Sequence, residues 1–100
     1  MKGLIGAALA GTMLMNVGAA QAAGKVAAGA DKATACANCH GIDGKGRIPL
    51  AGKSAEYLAA QLHAFKSGER KDSMMNMMAS QLSDQDIADL AAYFASKSSK

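Results

Sequence analysis

The residues with the clearest chemical potential are two thiols and one imidazole in the pentapeptide Cys36-Ala37-Asn38-Cys39-His40. Two cysteines separated by two residues and followed directly by histidine form the attachment signature of a c-type haem. Each thiol can add across one vinyl group of a single porphyrin, and the backbone turn between them then sets His40 over the ring face, where its imidazole can ligate iron. The motif therefore predicts one covalent haem c, attached through Cys36 and Cys39, with His40 as an axial ligand of the haem iron.

A Cys-x-x-Cys pair also occurs in thioredoxin-like redox sites, in structural disulfides and in zinc sites. The thioredoxin-like chemistry is expected in a βαβ context, and this chain has no convincing strand pattern. A four-ligand zinc site needs a second Cys or His pair, and only His63 is left over. Haem attachment is the interpretation that we favour.

The first 22 residues have the pattern of an export signal. Lys2 supplies the positive start, residues 4–15 form an apolar stretch broken by small residues, and Ala20-Gln21-Ala22 is a small-x-small cleavage signal. We expect cleavage before Ala23 and export to the bacterial periplasm, where thiols meet haem outside the reducing cytosol. The segment is too short and too rich in glycine for a good membrane span, so no stable membrane insertion is expected, with an uncleaved anchor as the alternative.

Residues 23–100 are expected to form one small domain that needs a cofactor. A chain of about 78 residues seldom builds a sufficient core alone, and this one has no tryptophan. A large flat porphyrin would supply the missing apolar bulk. The formal charge of +3 falls to about +2 without Lys2, and the only loose basic group is Lys66, Arg70 and Lys71. Without a basic run or interleaved aromatics, no nucleic-acid partner is expected.

Hydrophobic periodicity and capping residues predict three helices. The first runs from about Lys25 into the cysteine motif and contains Gly29, which we interpret as a point of close helix approach, with a frayed helix start as the alternative. The second begins near the N-cap Ser54 and stops at Gly68. Its apolar stripe comprises Leu58, Leu62 and Phe65.

The third helix is the best specified. Ser83 and Asp86 form a pair like a capping box, and Leu82 and Ile87 have the spacing of a hydrophobic staple. A core face follows, with Tyr93 beside it, formed by Ile87, Leu90, Ala91 and Phe94. Three glycines and a proline between residues 41 and 49 exclude regular structure there, so the chain is predicted to be all-α, in the order helix, loop, helix, loop, helix.

A second axial ligand is needed if the iron is to carry electrons without binding external ligands, and a methionine thioether in that position raises the reduction potential. The candidates lie in Met74-Met75-Asn76-Met77-Met78, which leads into the third helix. Most of these methionines are expected to be flexible core fillers. Spacing alone does not choose among the four.

The chain resembles the class I bacterial c-type cytochromes, close to the cytochrome c-553 and cytochrome c4-domain type, over essentially all of residues 23–100. The resemblance rests on the haem motif with Gly41, on the methionine cluster, and on the segments 49–52, 57–62, 82–87 and 92–94. It implies a small cytochrome c fold with three main helices around the haem. It further implies that Met75, seven residues before Leu82, is the axial methionine, with Met78 as runner-up and Met74 third. The carbonyl of Pro49 would accept a hydrogen bond from the ligand imidazole.

These features favour an electron carrier rather than an enzyme. We expect a monomer that carries one electron between larger redox proteins, a reductase or oxidase or a dehydrogenase, with no catalytic side chain. The alternative is a haem protein with a labile sixth ligand that binds small ligands or acts like a peroxidase. A third hypothesis, copper handling by Met75 and Met78, leaves the histidine and the cysteine spacing unexplained.

Overall fold

Helices form the regular secondary structure of residues 24–99, the part of the chain that the computed structural model describes. The predicted export signal, residues 1–22, lies outside this part. The elements in chain order are α1 (Val26–Lys32), a 3-10 turn (Ala33–Cys36), α2 (Ala37–His40), α3 (Ala55–Ser67), α4 (Ser73–Ser80) and α5 (Asp84–Ala95). The prediction of an all-α fold is confirmed.

The predicted caps delimit α3 and α5. The hydroxyl of Ser54 accepts a hydrogen bond from the Tyr57 N–H at 3.1 Å, and Gly68 ends α3 with a left-handed φ of 87°. At α5 the Asp86 N–H donates to the Ser83 hydroxyl at 3.0 Å, while the Ser83 N–H donates to the Asp86 carboxylate at 2.9 Å. This reciprocal pair satisfies two backbone donors that the first turn of a helix leaves without partners.

The core lies where α5 packs against α1 and α3. The predicted core face of α5 is buried, and Tyr93 joins it. Gly29 in α1 lies where α1 and α5 approach closely, because a Cβ atom there would lie 2.1 Å from the Asp89 carbonyl oxygen and 2.6 Å from the Tyr93 Cβ. The prediction that this glycine admits a neighbouring helix is confirmed.

The methionine cluster forms a helix, α4, in a stretch predicted to be a loop. That prediction was wrong, because it did not include Asp72 as a helix N-cap. The carboxylate of Asp72 accepts a hydrogen bond from the Met75 N–H at 2.9 Å. The chain turns between α3 and α4 over only five residues, and α4 packs against α3. The cluster is therefore held by helical backbone rather than by an irregular segment.

A buried carboxylate joins the two ends of the described chain. Asp89 is only 2% exposed, and it accepts from the backbone N–H of Lys25 at 2.8 Å, from Gln85 at 2.9 Å and from the Lys32 ammonium at 2.6 Å. Lys32 also pairs with Asp86 at 2.9 Å. A buried charge is tolerated when donors surround it in this way. The hydrogen bonds from Lys32 and Lys25 lower the pKa of Asp89 from its ordinary value of 3.8 to about 2.

This carboxylate makes the stability depend on acid pH. Since its pKa is lower in the folded chain than in the unfolded chain, its contribution is complete above pH 4 and is lost as the pH falls through about 2. Asp89→Asn should lower the free energy of unfolding by about 2 kcal/mol at pH 7, the usual worth of hydrogen bonds to a charged group. Urea unfolding at several pH values checks this: the gap between the variant and the natural protein should close between pH 4 and pH 2. A gap that stays constant over this range would contradict the assignment.

None of the helices found in residues 24–99 has both the length and the apolar character that a membrane span requires.

Candidate haem site

One continuous helical run positions the three residues of the predicted attachment motif. Cys36 ends the 3-10 turn, and Cys39 and His40 lie in the α2 turn that follows it. Both cysteines are half-buried, and no disulfide joins them. The side chain of Cys36 packs against the core, and this burial raises the pKa of its thiol. The motif is thus attached directly to the packed part of the fold.

The imidazole of His40 is oriented by the loop that follows it. Its Nδ1 atom lies 2.7 Å from the carbonyl oxygen of Ile48. A carbonyl oxygen can only accept, so Nδ1 is the donor, and the neutral tautomer that makes this bond has its lone pair on Nε2. An imidazole in this tautomer is prepared to ligate a metal through Nε2.

Two glycines allow the loop to fold back over the motif. The Gly46 N–H donates to the His40 carbonyl at 2.7 Å, and the Ile48 N–H donates to the Cys39 carbonyl at 3.0 Å. Gly41 has a φ of 78°, and a Cβ atom on Gly46 would lie 2.6 Å from the backbone nitrogen of Gly41. Side chains at either position would push the loop, and with it the Ile48 carbonyl, away from His40.

The acceptor for the His40 imidazole was predicted one residue too far along the chain. The structure places the carbonyl of Ile48, not that of Pro49, at hydrogen-bond distance. The backbone bond between Ile48 and Cys39 accounts for this, because it brings that residue alongside the motif. Pro49 acts indirectly, since a proline disfavours helical backbone at the residue before it and so restricts Ile48.

Burial divides the four methionines of α4 into two pairs. Met74 and Met77 are 56% and 55% exposed, whereas Met75 and Met78 are half-buried. Residues three apart share one face of a helix, so each pair occupies its own side of α4. The best candidate and the runner-up for the axial thioether therefore lie on the inner side, and the third candidate, Met74, on the outer side. Which thioether binds iron stays a prediction.

The remaining charged candidates have structural roles. His63 is about half exposed, and its Nδ1 lies 4.0 Å from a carboxylate oxygen of Asp84, in keeping with a surface position. In the predicted basic group, Lys66 donates to the Leu82 carbonyl, and the Arg70 guanidinium lies 4.7 Å from the centre of the Phe65 ring. Within residues 24–99 no three Cys, His, Asp or Glu side chains come together as a metal-ion site.

The residues of the site suit haem c. Two half-buried thiols and an imidazole with its Nε2 lone pair available lie on consecutive turns, which is the donor set that covalent attachment and axial ligation require. Apolar surface lies beside them, since Ile48 is 51% exposed although its carbonyl holds His40. Leu90 and Ile87 are the largest fully buried side chains of the described part, so the core alone is small.

Several contacts that shape the site had no signal in the sequence analysis. The Tyr93 hydroxyl on α5 donates to the Ile42 carbonyl, which ties the loop after the motif to the last helix. The side chains of Asp72 and Asn76 fix the start of α4. The N-cap preference of aspartate could have identified Asp72, and its bond with Asn76 spans only four residues, but Tyr93 and Ile42 are 51 residues apart and only the tertiary fold brings them together.

Comparisons with known proteins agree with this arrangement. The profile of the cytochrome c family matches residues 22–98. The chain is 48% identical over 82 residues to cytochrome c-554(548) of Halomonas halodenitrificans, an alignment that covers 75% of this chain and 99% of that protein. It is 49% identical over 84 residues to cytochrome c4 of Pseudomonas aeruginosa, covering 80% of this chain and 42% of the relative.

A solved structure is similar as well. The structure of reduced recombinant cytochrome c4 from Pseudomonas stutzeri matches with a TM-score of 0.70 and 40% identity, over 75% of this chain and 46% of that one. The chain thus spans less than half the length of the cytochrome c4 proteins that it matches. The family profile, the identities and the shared fold all point the same way: this chain belongs to the cytochrome c family, as a class I c-type cytochrome of the c4 type that binds haem c.

Proposed function

We propose that the protein is a periplasmic electron carrier that transfers one electron at a time through a His/Met-ligated haem c. When bound, the haem supplies a reversible change between ferrous and ferric iron. Cys36 and Cys39 would hold the porphyrin through thioether bonds, and His40 and Met75 would be the two protein ligands of its iron. The role of the chain is to keep both positions filled in both oxidation states, so that little rearrangement accompanies transfer.

The observation that carries this proposal is that both proposed ligands lie on backbone fixed by hydrogen bonds. On one side, the Ile48 carbonyl orients the imidazole of His40 at 2.7 Å. On the other, the carboxylate of Asp72 accepts the Met75 N–H at 2.9 Å, and Met75 is half-buried on a capped helix. Rigid support on both sides favours a closed six-coordinate iron over one with an open position.

The predicted export signal supports the proposed periplasmic location. We propose that the protein works as a monomer and docks briefly with larger redox proteins, a reductase or oxidase or a dehydrogenase. No side chain of the site is proposed to make or break bonds in a substrate. A relative with 46% of its length matched by this chain has been solved in its reduced form, which supports a redox role.

The visible spectrum of the protein purified from the periplasm tests the proposal. We expect sharp reduced bands of a c-type haem, a thioether-to-iron charge-transfer band in the oxidised protein, and an unchanged reduced spectrum under carbon monoxide. The physical reason is that an intact thioether leaves no coordination position for the gas. A clear shift with carbon monoxide would instead indicate a labile sixth ligand and a ligand-binding or peroxidase-like protein.

A further inference from the structure

The side chain of Asn76 connects three separate pieces of backbone around the start of α4. Its amide nitrogen donates to the Phe65 carbonyl near the end of α3 and to the Arg70 carbonyl in the connecting turn, both at 2.8 Å. Its amide oxygen accepts from the Asp72 N–H at 2.9 Å. One side chain thus joins the end of α3, the turn and the N-cap of α4.

The surroundings fix the orientation of this amide. Two carbonyl oxygens face the nitrogen end, and one N–H faces the oxygen end, so a flipped amide would lose all three bonds. Both amide hydrogens are therefore used. The Phe65 carbonyl, one of the last four of α3, also accepts from the Gly68 N–H at 3.3 Å, so the Asn76 amide is its second donor.

Asn76 and Asp72 support each other at the residue proposed to bind iron. Asp72 accepts from the N–H of Met75, and Asn76, the next residue, accepts from the N–H of Asp72. Asp72 thus caps the first turn of α4, and Asn76 joins that turn to the end of α3, so side-chain hydrogen bonds hold the backbone on both sides of Met75. α4 also packs against α3, and Ala79 is fully buried, but of the side chains in α4 only that of Asn76 hydrogen-bonds to α3 or to the connecting turn, whereas the Ser80 hydroxyl bonds to Met77 in the same helix.

We propose that Asn76 is a positioning residue for the axial ligand: by clamping the start of α4 to the end of α3, it prevents Met75 from leaving the iron. This inference rests on the proposed His/Met ligation. A thioether leaves when its side chain rotates away, and this is easier when the backbone moves or the local helix opens, because such local opening increases the fraction of the protein that is available to a competing ligand. Removing the clamp raises the open fraction and leaves the remaining core, built on α1, α3 and α5, in place.

The test is a titration of the ferric holoprotein with imidazole, followed through the thioether-to-iron charge-transfer band. Asn76→Ala should bind imidazole at least tenfold more tightly than the natural protein, because losing three hydrogen bonds makes local opening easier. Asn76→Asp should behave similarly. It keeps the shape and the acceptor for Asp72, but it loses both donors and sets a carboxylate against two carbonyl oxygens. If Asn76→Ala yields no holoprotein, the imidazole affinity of Asn76→Asp decides the test.

Two controls separate positioning from general loss of stability. Ser80→Ala changes a hydroxyl that bonds only within α4, and it should leave the imidazole affinity within threefold of the natural value. Asp89→Asn weakens the fold far from α4, and it should lower global stability without a matching gain in imidazole affinity. Equal imidazole affinities in the natural protein and both Asn76 variants would overturn the inference, and so would a tenfold gain in Asp89→Asn. A natural protein without the charge-transfer band would instead refute the proposed Met ligation itself.

Discussion

Gly29→Ala is expected to cost about 3 kcal/mol or more of folding stability, the upper end of what overpacking a core contact costs. Helix propensity predicts the opposite sign, because alanine in a helix interior is favoured over glycine by about 1 kcal/mol. The contact reverses the sign, since the new methyl group would lie 2.1 Å from the Asp89 carbonyl oxygen. That oxygen belongs to the backbone of α5 and cannot rotate away, so α1 and α5 must separate.

Urea unfolding of the holoprotein measures this effect. Ala27→Gly provides the matched control, because residue 27 lies on an exposed position of the same helix, and it should lose only the propensity difference of about 1 kcal/mol. A Gly29→Ala variant as stable as the natural protein would show that the two helices do not approach as closely as the structure places them. Separation of α1 and α5 should also weaken the bonds of Asp89 to Lys25 and Lys32.

The parts of the fold that were predictable from sequence are those determined by neighbours along the chain. Ser54 and Ser83 signal helix starts because an N-cap hydroxyl acts within three residues. The buried face of α5 follows from the spacing of its apolar residues, and the Cys-x-x-Cys-His motif follows from the chemistry of one porphyrin. Gly29 could be identified because glycine is unfavourable inside a helix, so its presence in an alanine-rich helix indicates a packing role.

The features that were not predictable depend on residues that are distant in sequence. Asp89 is buried because donors from Lys25 and Lys32, more than 50 residues away, surround it. The link between α4 and α3 was not predicted, because the Asn76 amide reaches the Phe65 carbonyl 11 residues away. The acceptor for His40 is the carbonyl of Ile48 rather than that of Pro49, because the backbone path of the glycine-rich loop determines which carbonyl lies beside the imidazole. The sequence pattern predicts that this loop is present, but it does not predict which of its carbonyl groups faces His40.

Replacing the proposed axial methionine should have the largest effect on redox behaviour. Met75→His is expected to keep a six-coordinate spectrum and to lower the reduction potential on the order of 0.1–0.3 V, within the span of about 0.8 V over which axial ligands set haem potentials. A thioether favours ferrous iron, whereas a second imidazole stabilises the ferric state. Spectroelectrochemistry of the purified variant measures the shift, and loss of the thioether-to-iron charge-transfer band shows that sulfur has left.

Met78→Leu is the matched control, because Met78 is half-buried one turn further along the same face of α4. A leucine conserves its volume, so a cost below about 1.5 kcal/mol and an unchanged potential are expected. Met74→Leu, on the exposed side, should change neither property. The opposite pattern, in which Met78→Leu abolishes the charge-transfer band while Met75→His retains it, would transfer the ligand role to Met78. Asn76 holds the first turn of α4, whereas Met78 lies one turn further along. If Met78 were the ligand, the Asn76 variants should therefore gain less imidazole affinity than the tenfold expected for a ligand at position 75. The methionine variants and the Asn76 variants together locate the thioether on the helix.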